Sequence, residues 1–167
     1  MQLRRLTALA MYTTLSLAIY AAEALLPPLV PIPGMKLGLS NIISLLLLRH
    51  YPLRDAVLVL LARILLASLL FGQLLSLLYS LCGGFAALLG MWLLTRLFNK
   101  RFASLTGAVG GLLHNLFQLC VACLLTATPG VFAYLPFLML GGILTGVFTG
   151  LCAVFSDKYL YPRFPKP

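Results

Sequence analysis

The chain has 167 residues, of which 62% are hydrophobic and only 9% are charged, and its mean hydropathy is +1.05. A soluble domain of this length needs far more charged surface, so the composition excludes that class and indicates an integral membrane protein. The net charge of +9 indicates no nucleic-acid partner, because multi-pass proteins collect Lys and Arg in cytoplasmic loops and against anionic membrane lipid.

Hydropathy predicts an all-α, polytopic membrane protein with about six transmembrane helices, which together form one membrane domain over residues 1–167. The first apolar run is long enough to span the membrane and lacks a signal-peptide cleavage site, so we expect it to be retained. The predicted spans are 6–26, 38–50, 56–72, 74–98, 105–126 and 131–155.

The basic residues predict the orientation. With an even number of spans and the N-terminus inside, ten of the twelve basic residues lie on the cytoplasmic side, Lys36 lies outside and Arg63 lies within the membrane. This bias predicts a multi-pass protein of the cell membrane with both termini in the cytoplasm. The ten cytoplasmic residues are Arg4, Arg5, Arg49, Arg54, Arg96, Lys100, Arg101, Lys158, Arg163 and Lys166.

The first span carries a stripe of small side chains. Ala10, Thr14, Ala18 and Ala22 recur every four residues, which places them on one face of a helix. In lipid, small residues favour close approach of a second helix, because packing replaces the hydrophobic effect as the driving force. The second helix belongs either to this chain or to a partner, and the sequence leaves both open.

A proline-rich segment follows the first span. Four prolines within residues 27–33 cannot continue a helix, because each lacks an N–H and disfavours helical geometry in the preceding residue. We interpret this segment as a lid over a membrane pocket, with Gly34 and Gly38 as hinges. The predicted lid residues are Pro31, Pro33, Gly34, Lys36 and Gly38.

The second span is too short to cross the membrane as a straight helix. Its apolar core, residues 38–48, reaches only about half of the roughly 30 Å of hydrocarbon. We expect it either to borrow His50 and Tyr51 at one end or to be an irregular segment protected by neighbouring helices.

Glycines recur at helical spacing in the last two spans. Gly107 and Gly111 form one pair, and Gly142, Gly146 and Gly150 form a ladder. Both patterns predict close helix packing.

Polar side chains concentrate in the middle and outer parts of the spans. Intramembrane charge costs roughly 2.5–3.5 kcal/mol on insertion scales, so each such group needs a partner, water or a ligand. The distribution predicts a polar cavity open to the outside, where a guanidinium and directional amide and imidazole groups meet a ligand. The candidate substrate-binding residues are Arg63, His114, Asn115, Gln118, Asn41 and Glu23.

Structural roles for these residues remain open. Arg63 pairs with Glu23 in one alternative, although helical rise places Glu23 roughly 9 Å nearer the outer surface. In another, His114 hydrogen-bonds between helices, which is a common use of intramembrane polar residues.

The acidic residues argue against catalysis. Only Glu23, Asp55 and Asp157 exist, and no pair of them can hold magnesium for diphosphate chemistry. Cys120 and Cys123 lie within a predicted helix, where cysteine usually serves as a small apolar residue. We therefore predict no catalytic residue, no metal site and no cofactor. The sequence contains no Walker motif, so any ATP would be hydrolysed by another protein.

Four segments carry a resemblance to a known family. They are LLPPLVPIPGMKLGLSN at 25–41, RILLASLLFG at 63–72, LYSLCGG at 78–84 and HNLFQ at 114–118. In these segments the chain resembles the Gx transporter family, whose members are often labelled component I of heptaprenyl diphosphate synthase. That family in turn resembles the substrate-binding S components of energy-coupling factor (ECF) vitamin transporters.

The resemblance implies six helices and a substrate site near the outer face. It also implies that residues 27–37 cap the substrate, and that Ala10, Thr14, Ala18 and Ala22 dock a coupling subunit, with Thr14 an imperfect alanine. The synthase label conflicts with the three scattered acids, so we expect at most a partner of prenyl metabolism. Relatives also resemble a membrane subunit associated with quinone-linked electron export.

The first hypothesis is accordingly a binding subunit, not an enzyme. It captures a small, partly apolar, oxygen-bearing molecule, isoprenoid or quinone-related, and works with the coupling and ATPase subunits of an ECF-type transporter. The alternative is a quinone-handling subunit of an electron-transfer or prenyl-quinone assembly without transport. A third hypothesis is an intramembrane scaffold whose polar residues only join helices.

Overall fold

The computed structural model describes residues 2–25, 35–71, 74–98 and 102–159. Within these ranges the chain is helical and contains no strand. The elements are α1 (Gln2–Ala24), α2 (Asn41–His50), α3 (Leu53–Phe71), α4 (Leu74–Leu97), α5 (Ala103–Thr126), a 3₁₀-helix (Pro129–Tyr134) and α6 (Leu135–Tyr159).

The distribution of polarity is that of a membrane protein. Large apolar side chains such as Leu69 and Leu124 are about four-fifths exposed, whereas Arg63, Asn115 and Gln118 are almost completely buried. Lipid solvates the apolar exterior, and the polar groups face the interior of the bundle. The chain is therefore a multi-pass membrane protein.

Short α2 lies at the centre of the bundle. It contacts each of the other five α-helices, and every residue from Asn41 to Arg49 except Ile42 is buried. Ten residues rise only about 15 Å, and the surrounding helices shield this half-length segment from lipid. The second span is thus a regular helix that extends to His50, and it is protected by its neighbours.

The glycine ladders form the closest helix contact. A methyl group added at Gly111 would overlap the carbonyl oxygen of Gly142, and one at Gly107 would overlap that of Gly146. Gly150 likewise lies against the backbone of Ala103. Backbone atoms of α5 and α6 therefore touch directly, which confirms the close packing predicted from the glycine spacing.

Two acidic residues join helices at the opposite end of the bundle from Glu23. Asp55 at the start of α3 accepts hydrogen bonds from Arg5 on α1, one of them 3.0 Å from Nε. Asp157 near the end of α6 accepts a 2.6 Å bond from Arg49 Nε and lies 2.5 Å from His50 Nε2, both on α2. These pairs tie α1 to α3 and α2 to α6.

Six helices overlap the six predicted spans, but they differ in their capacity to cross a membrane. Among the described residues, four segments are long and apolar enough: α1, α4, α5, and the 3₁₀-helix together with α6. The α3 helix has 19 residues and includes Arg54, Asp55 and Arg63, while α2 is short. A six-span topology stays a prediction.

Candidate functional site

All six candidate ligand residues are buried, each with at most 5% of its surface exposed. The structure connects five of them through direct contacts or electrostatic interactions around the segment that leads into α2. We call this group the polar cluster; it comprises Glu23, Asn41, Arg63, His114 and Gln118. The sixth candidate, Asn115, faces α6.

The chain enters α2 through the return segment, residues 35–40, which is held from two sides. One carboxylate oxygen of Glu23 accepts a 2.7 Å hydrogen bond from the Gly38 amide, and the other accepts a 3.1 Å bond from the Leu39 amide. On the α5 side, the Lys36 amide donates to Gln118 Oε1 at 3.3 Å. Side chains of α1 and α5 therefore fix the backbone of this segment.

The hydrogen bonds of Gln118 assign the tautomer of His114. Because Gln118 Oε1 accepts from Lys36, its amide nitrogen must donate to His114 Nε2, which lies 2.9 Å away. The imidazole is then neutral, with its proton on Nδ1. That atom faces the Gly83 backbone without making a hydrogen bond of normal geometry.

Gly38 allows the return segment to lie against the cluster. Its φ of +83° is in the left-handed region, which favours glycine. A Cβ at this position would lie 2.6 Å from His114 Cδ2 and 2.8 Å from Asn41 Nδ2. The backbone conformation and the close neighbours both require glycine at position 38. The hinge role predicted from the sequence requires only a flexible backbone there.

Tyr20 brings two cations together beneath the return segment. The ammonium group of Lys36 lies 3.2 Å from the centre of the Tyr20 ring, and the guanidinium carbon of Arg63 lies 5.5 Å from it. The Tyr20 hydroxyl forms a 2.6 Å hydrogen bond with Ser76, and Phe71 packs beside the ring. The negative face of an aromatic ring stabilises nearby cations.

Arg63 forms no ion pair with Glu23 among the described residues, although the two are close enough to interact electrostatically. Both oxygens of Glu23 are engaged by backbone amides instead. Nε and Nη2 of Arg63 are buried without a hydrogen-bond partner in the part of the chain that the structure describes. The alternative in which Glu23 fully satisfies Arg63 is therefore not what the geometry shows.

Other buried polar atoms also lack partners in the part of the chain that the structure describes. Neither amide atom of Asn41 is hydrogen-bonded to a described residue, although both atoms are buried. Asn115 donates a 2.7 Å bond to the Leu138 carbonyl, which leaves its own oxygen without a partner. Buried polar atoms are nearly always satisfied, so these groups call for partners beyond the described residues.

The predicted lid is described only in part. Pro31, Pro33 and Gly34 lie outside the described residues, whereas Lys36 and Gly38 belong to the return segment. Tyr20 was absent from the sequence-based candidates. Its position one helical turn before Glu23 was the available signal, because residues three apart share a helix face.

The small-residue stripe of α1 is exposed along its length. Ala10, Thr14, Ala18 and Ala22 all face away from the rest of the bundle, while α1 packs on α2 and α3. The Thr14 hydroxyl donates to the Ala10 carbonyl within the helix at 3.0 Å, so its polar group is satisfied. The described helices therefore do not cover this stripe.

The comparison with protein families matches most of the chain. The family model described as heptaprenyl diphosphate synthase component I matches residues 12–155. The chain belongs to this family. The comparisons with curated proteins and with solved structures found no match to the chain.

The part matched by the heptaprenyl diphosphate synthase component I family contains the whole polar cluster, Tyr20 and the return segment. It also contains both glycine ladders of α5 and α6. Three described features fall beyond it, namely Arg5, which binds Asp55, Ala10 at the start of the small-residue stripe, and Asp157 near the end of α6.

Proposed function

We propose that the chain is the substrate-binding membrane subunit of an ECF-type transporter. The observation that carries this proposal is the guanidinium edge of Arg63, which is buried in a membrane bundle and has no partner among the described residues. Such groups are expensive in a membrane interior and mark ligand or ion pathways. The ligand is a small, partly apolar molecule, isoprenoid or quinone-related, captured from the outer face.

The geometry supports a route for closure over the ligand. The return segment connects the proline-rich lid to α2, and Glu23 and Gln118 hold its backbone. Gln118 also contacts His114, so a ligand that moves His114 disturbs the contact that anchors Lys36. We propose that ligand binding and lid position are coupled through Gln118.

The acids favour a binding role over catalysis. Each of the three in the chain already has partners: backbone amides for Glu23, Arg5 for Asp55, and Arg49 with His50 for Asp157. Asp55 lies next to Arg5, which is separated from Glu23 by about 27 Å of helical rise along α1. Diphosphate chemistry requires carboxylates grouped around Mg²⁺, so we propose that any prenyl-transfer chemistry belongs to another protein.

The exposed stripe of α1 is the proposed docking face for the coupling subunit, which in turn binds the ATPases. Small residues let a partner helix approach closely in lipid. In this arrangement the start of α3 with Asp55, the end of α6 with Asp157 and the end of α2 that contacts Asp157 all face the cytoplasm of the cell. Both termini are then cytoplasmic, and the polar cluster faces outward.

A tryptophan in the stripe tests the docking face. We expect Ala18→Trp to leave folding intact, because Ala18 is exposed, and to reduce co-purification of the coupling and ATPase subunits at least tenfold, because the ring blocks close approach. The measurement is protein mass spectrometry after mild affinity purification from native membranes. Leu124→Trp, on an exposed site of α5, is the matched control and should retain the partners.

The same purification separates the two leading functions. The aromatic pair of Tyr20 and Phe71, whose ring centres are 5.9 Å apart beside Arg63, favours a quinone-handling subunit as the second candidate. Co-purification of an ATPase and a coupling subunit supports the transporter. A bound quinone without any ATPase would support the second candidate and contradict the first.

A further inference from the structure

We infer that the ligand carries one anionic oxygen group, a carboxylate or a phosphate, and that this group binds the free edge of Arg63 at the N-terminus of α2. This inference rests on the proposed binding function and adds the chemical class of the ligand's polar end. Three observations carry it: the geometry of the free guanidinium edge, the local charge and the position of a half-length helix.

The two unpartnered nitrogens of Arg63 are adjacent. Nε and Nη2 present parallel N–H bonds on one edge of the guanidinium, and both are free within the described chain. This edge matches the two oxygens of a carboxylate or phosphate in a bidentate pair. A single neutral carbonyl oxygen would leave part of the edge unsatisfied.

The local charge also favours an anion. Lys36 and Arg63 both lie against the Tyr20 ring, and Glu23 is the only acid of the chain nearby. Asp55 and Asp157 are engaged at the other end of the bundle. The three charges sum to +1, and the chain has no further carboxylate to balance them. A ligand with one negative charge balances the three charges, of which Glu23 and Arg63 are buried and Lys36 is only half-buried.

The start of α2 adds a favourable field. This helix begins at Asn41 inside the bundle, so the positive end of its dipole lies at the polar cluster. Its first three amides already donate to carbonyls of residues 38–40, so the helix contributes a field and no free backbone donor from these three. Half-length helices in transporters commonly direct their N-termini at anionic substrate groups. Asn41 itself has an unpartnered Nδ2, which is a further donor for the same group.

Short single-chain probes test the inference without knowledge of the natural ligand. The protein in a neutral detergent is heated with octanoate, 1-octanol, octylamine or acetate, and the shift in Tm is recorded. We expect saturating octanoate to raise the Tm of the wild type by about 5 °C, and octanol and octylamine to raise it by less than a third as much. If acetate also shifts the Tm, the natural ligand is a small free anion. If only octanoate shifts it, the natural ligand is an amphiphile with an anionic end.

Two variants test the residues. Arg63→Gln should abolish the octanoate shift, whereas Arg96→Gln, which removes an exposed arginine from α4, should retain it. If Arg63→Gln fails to fold, Asn41→Leu tests whether the anion binds at the N-terminus of α2. Because neither amide atom of Asn41 has a partner among the described residues, this variant should raise the Tm of the ligand-free protein and halve the octanoate shift or reduce it further.

The outcomes separate this inference from the proposed function. A neutral probe that stabilises the wild type as strongly as octanoate, and does so through Arg63, would overturn the anionic group and leave the binding function in place. Equal octanoate shifts in Arg63→Gln and Arg96→Gln would overturn the assignment of the anion to Arg63. No shift with any probe would overturn both the inference and the binding function.

Discussion

Gly111→Ala is expected to lower the free energy of unfolding by about 3 kcal/mol. The added methyl group would overlap the Gly142 carbonyl oxygen, with the carbonyl carbon at 3.0 Å. Because these are backbone atoms, no side chain can rotate away, and α5 and α6 must separate. This loss outweighs the roughly 1 kcal/mol by which alanine is favoured over glycine within a helix. Thermal unfolding in detergent measures the change.

Gly130→Ala is the matched control for the helix contact. A Cβ at Gly130 would meet only the Thr128 methyl group, at 3.8 Å, so we expect a Tm within about 1 °C of the wild type. Equal stability of both variants would contradict the direct contact between the backbones of α5 and α6.

Glu23→Gln is expected to release the return segment. The carboxylate accepts from the Gly38 and Leu39 amides, and hydrogen bonds to charged groups are the stronger ones. Glutamine keeps one acceptor but turns an N–H₂ group toward the other amide. We expect a local loss of about 3 kcal/mol, which corresponds to roughly 150-fold faster amide exchange in residues 35–40.

Hydrogen–deuterium exchange with mass spectrometry measures this release peptide by peptide. Ala24→Gln, at an exposed site in the same turn of α1, adds the same side chain without touching the return segment and should leave exchange unchanged. If Glu23→Gln left exchange in residues 35–40 at the wild-type rate, Glu23 would not be the anchor of this segment.

The sequence predicts the helices well because their signals are local. Apolar length marks α1, α4, α5 and α6, and the proline run marks the break before α2. The glycine ladders predict the contact between α5 and α6, because only glycine at that spacing permits backbone contact. These features depend on residues close together in the chain.

The candidate site is only partly predictable, because its contacts are long-range. The cost of burial identifies Arg63, His114 and Gln118 as residues that need partners. It does not reveal that Glu23 binds backbone amides instead of Arg63, or that Tyr20 lies against both Lys36 and Arg63. These contacts depend on how far α2 enters the bundle. Hydropathy carries no information on that depth.

The central claim is that the polar cluster binds a small molecule. Mass spectrometry of molecules retained after mild purification in detergent tests it most directly, by comparing the wild type with Arg63→Ala at equal folded protein. We predict one molecule that is retained in near-stoichiometric amount by the wild type and at least tenfold less by Arg63→Ala. Two folded, ligand-free samples, or equal retention by both, would contradict the claim.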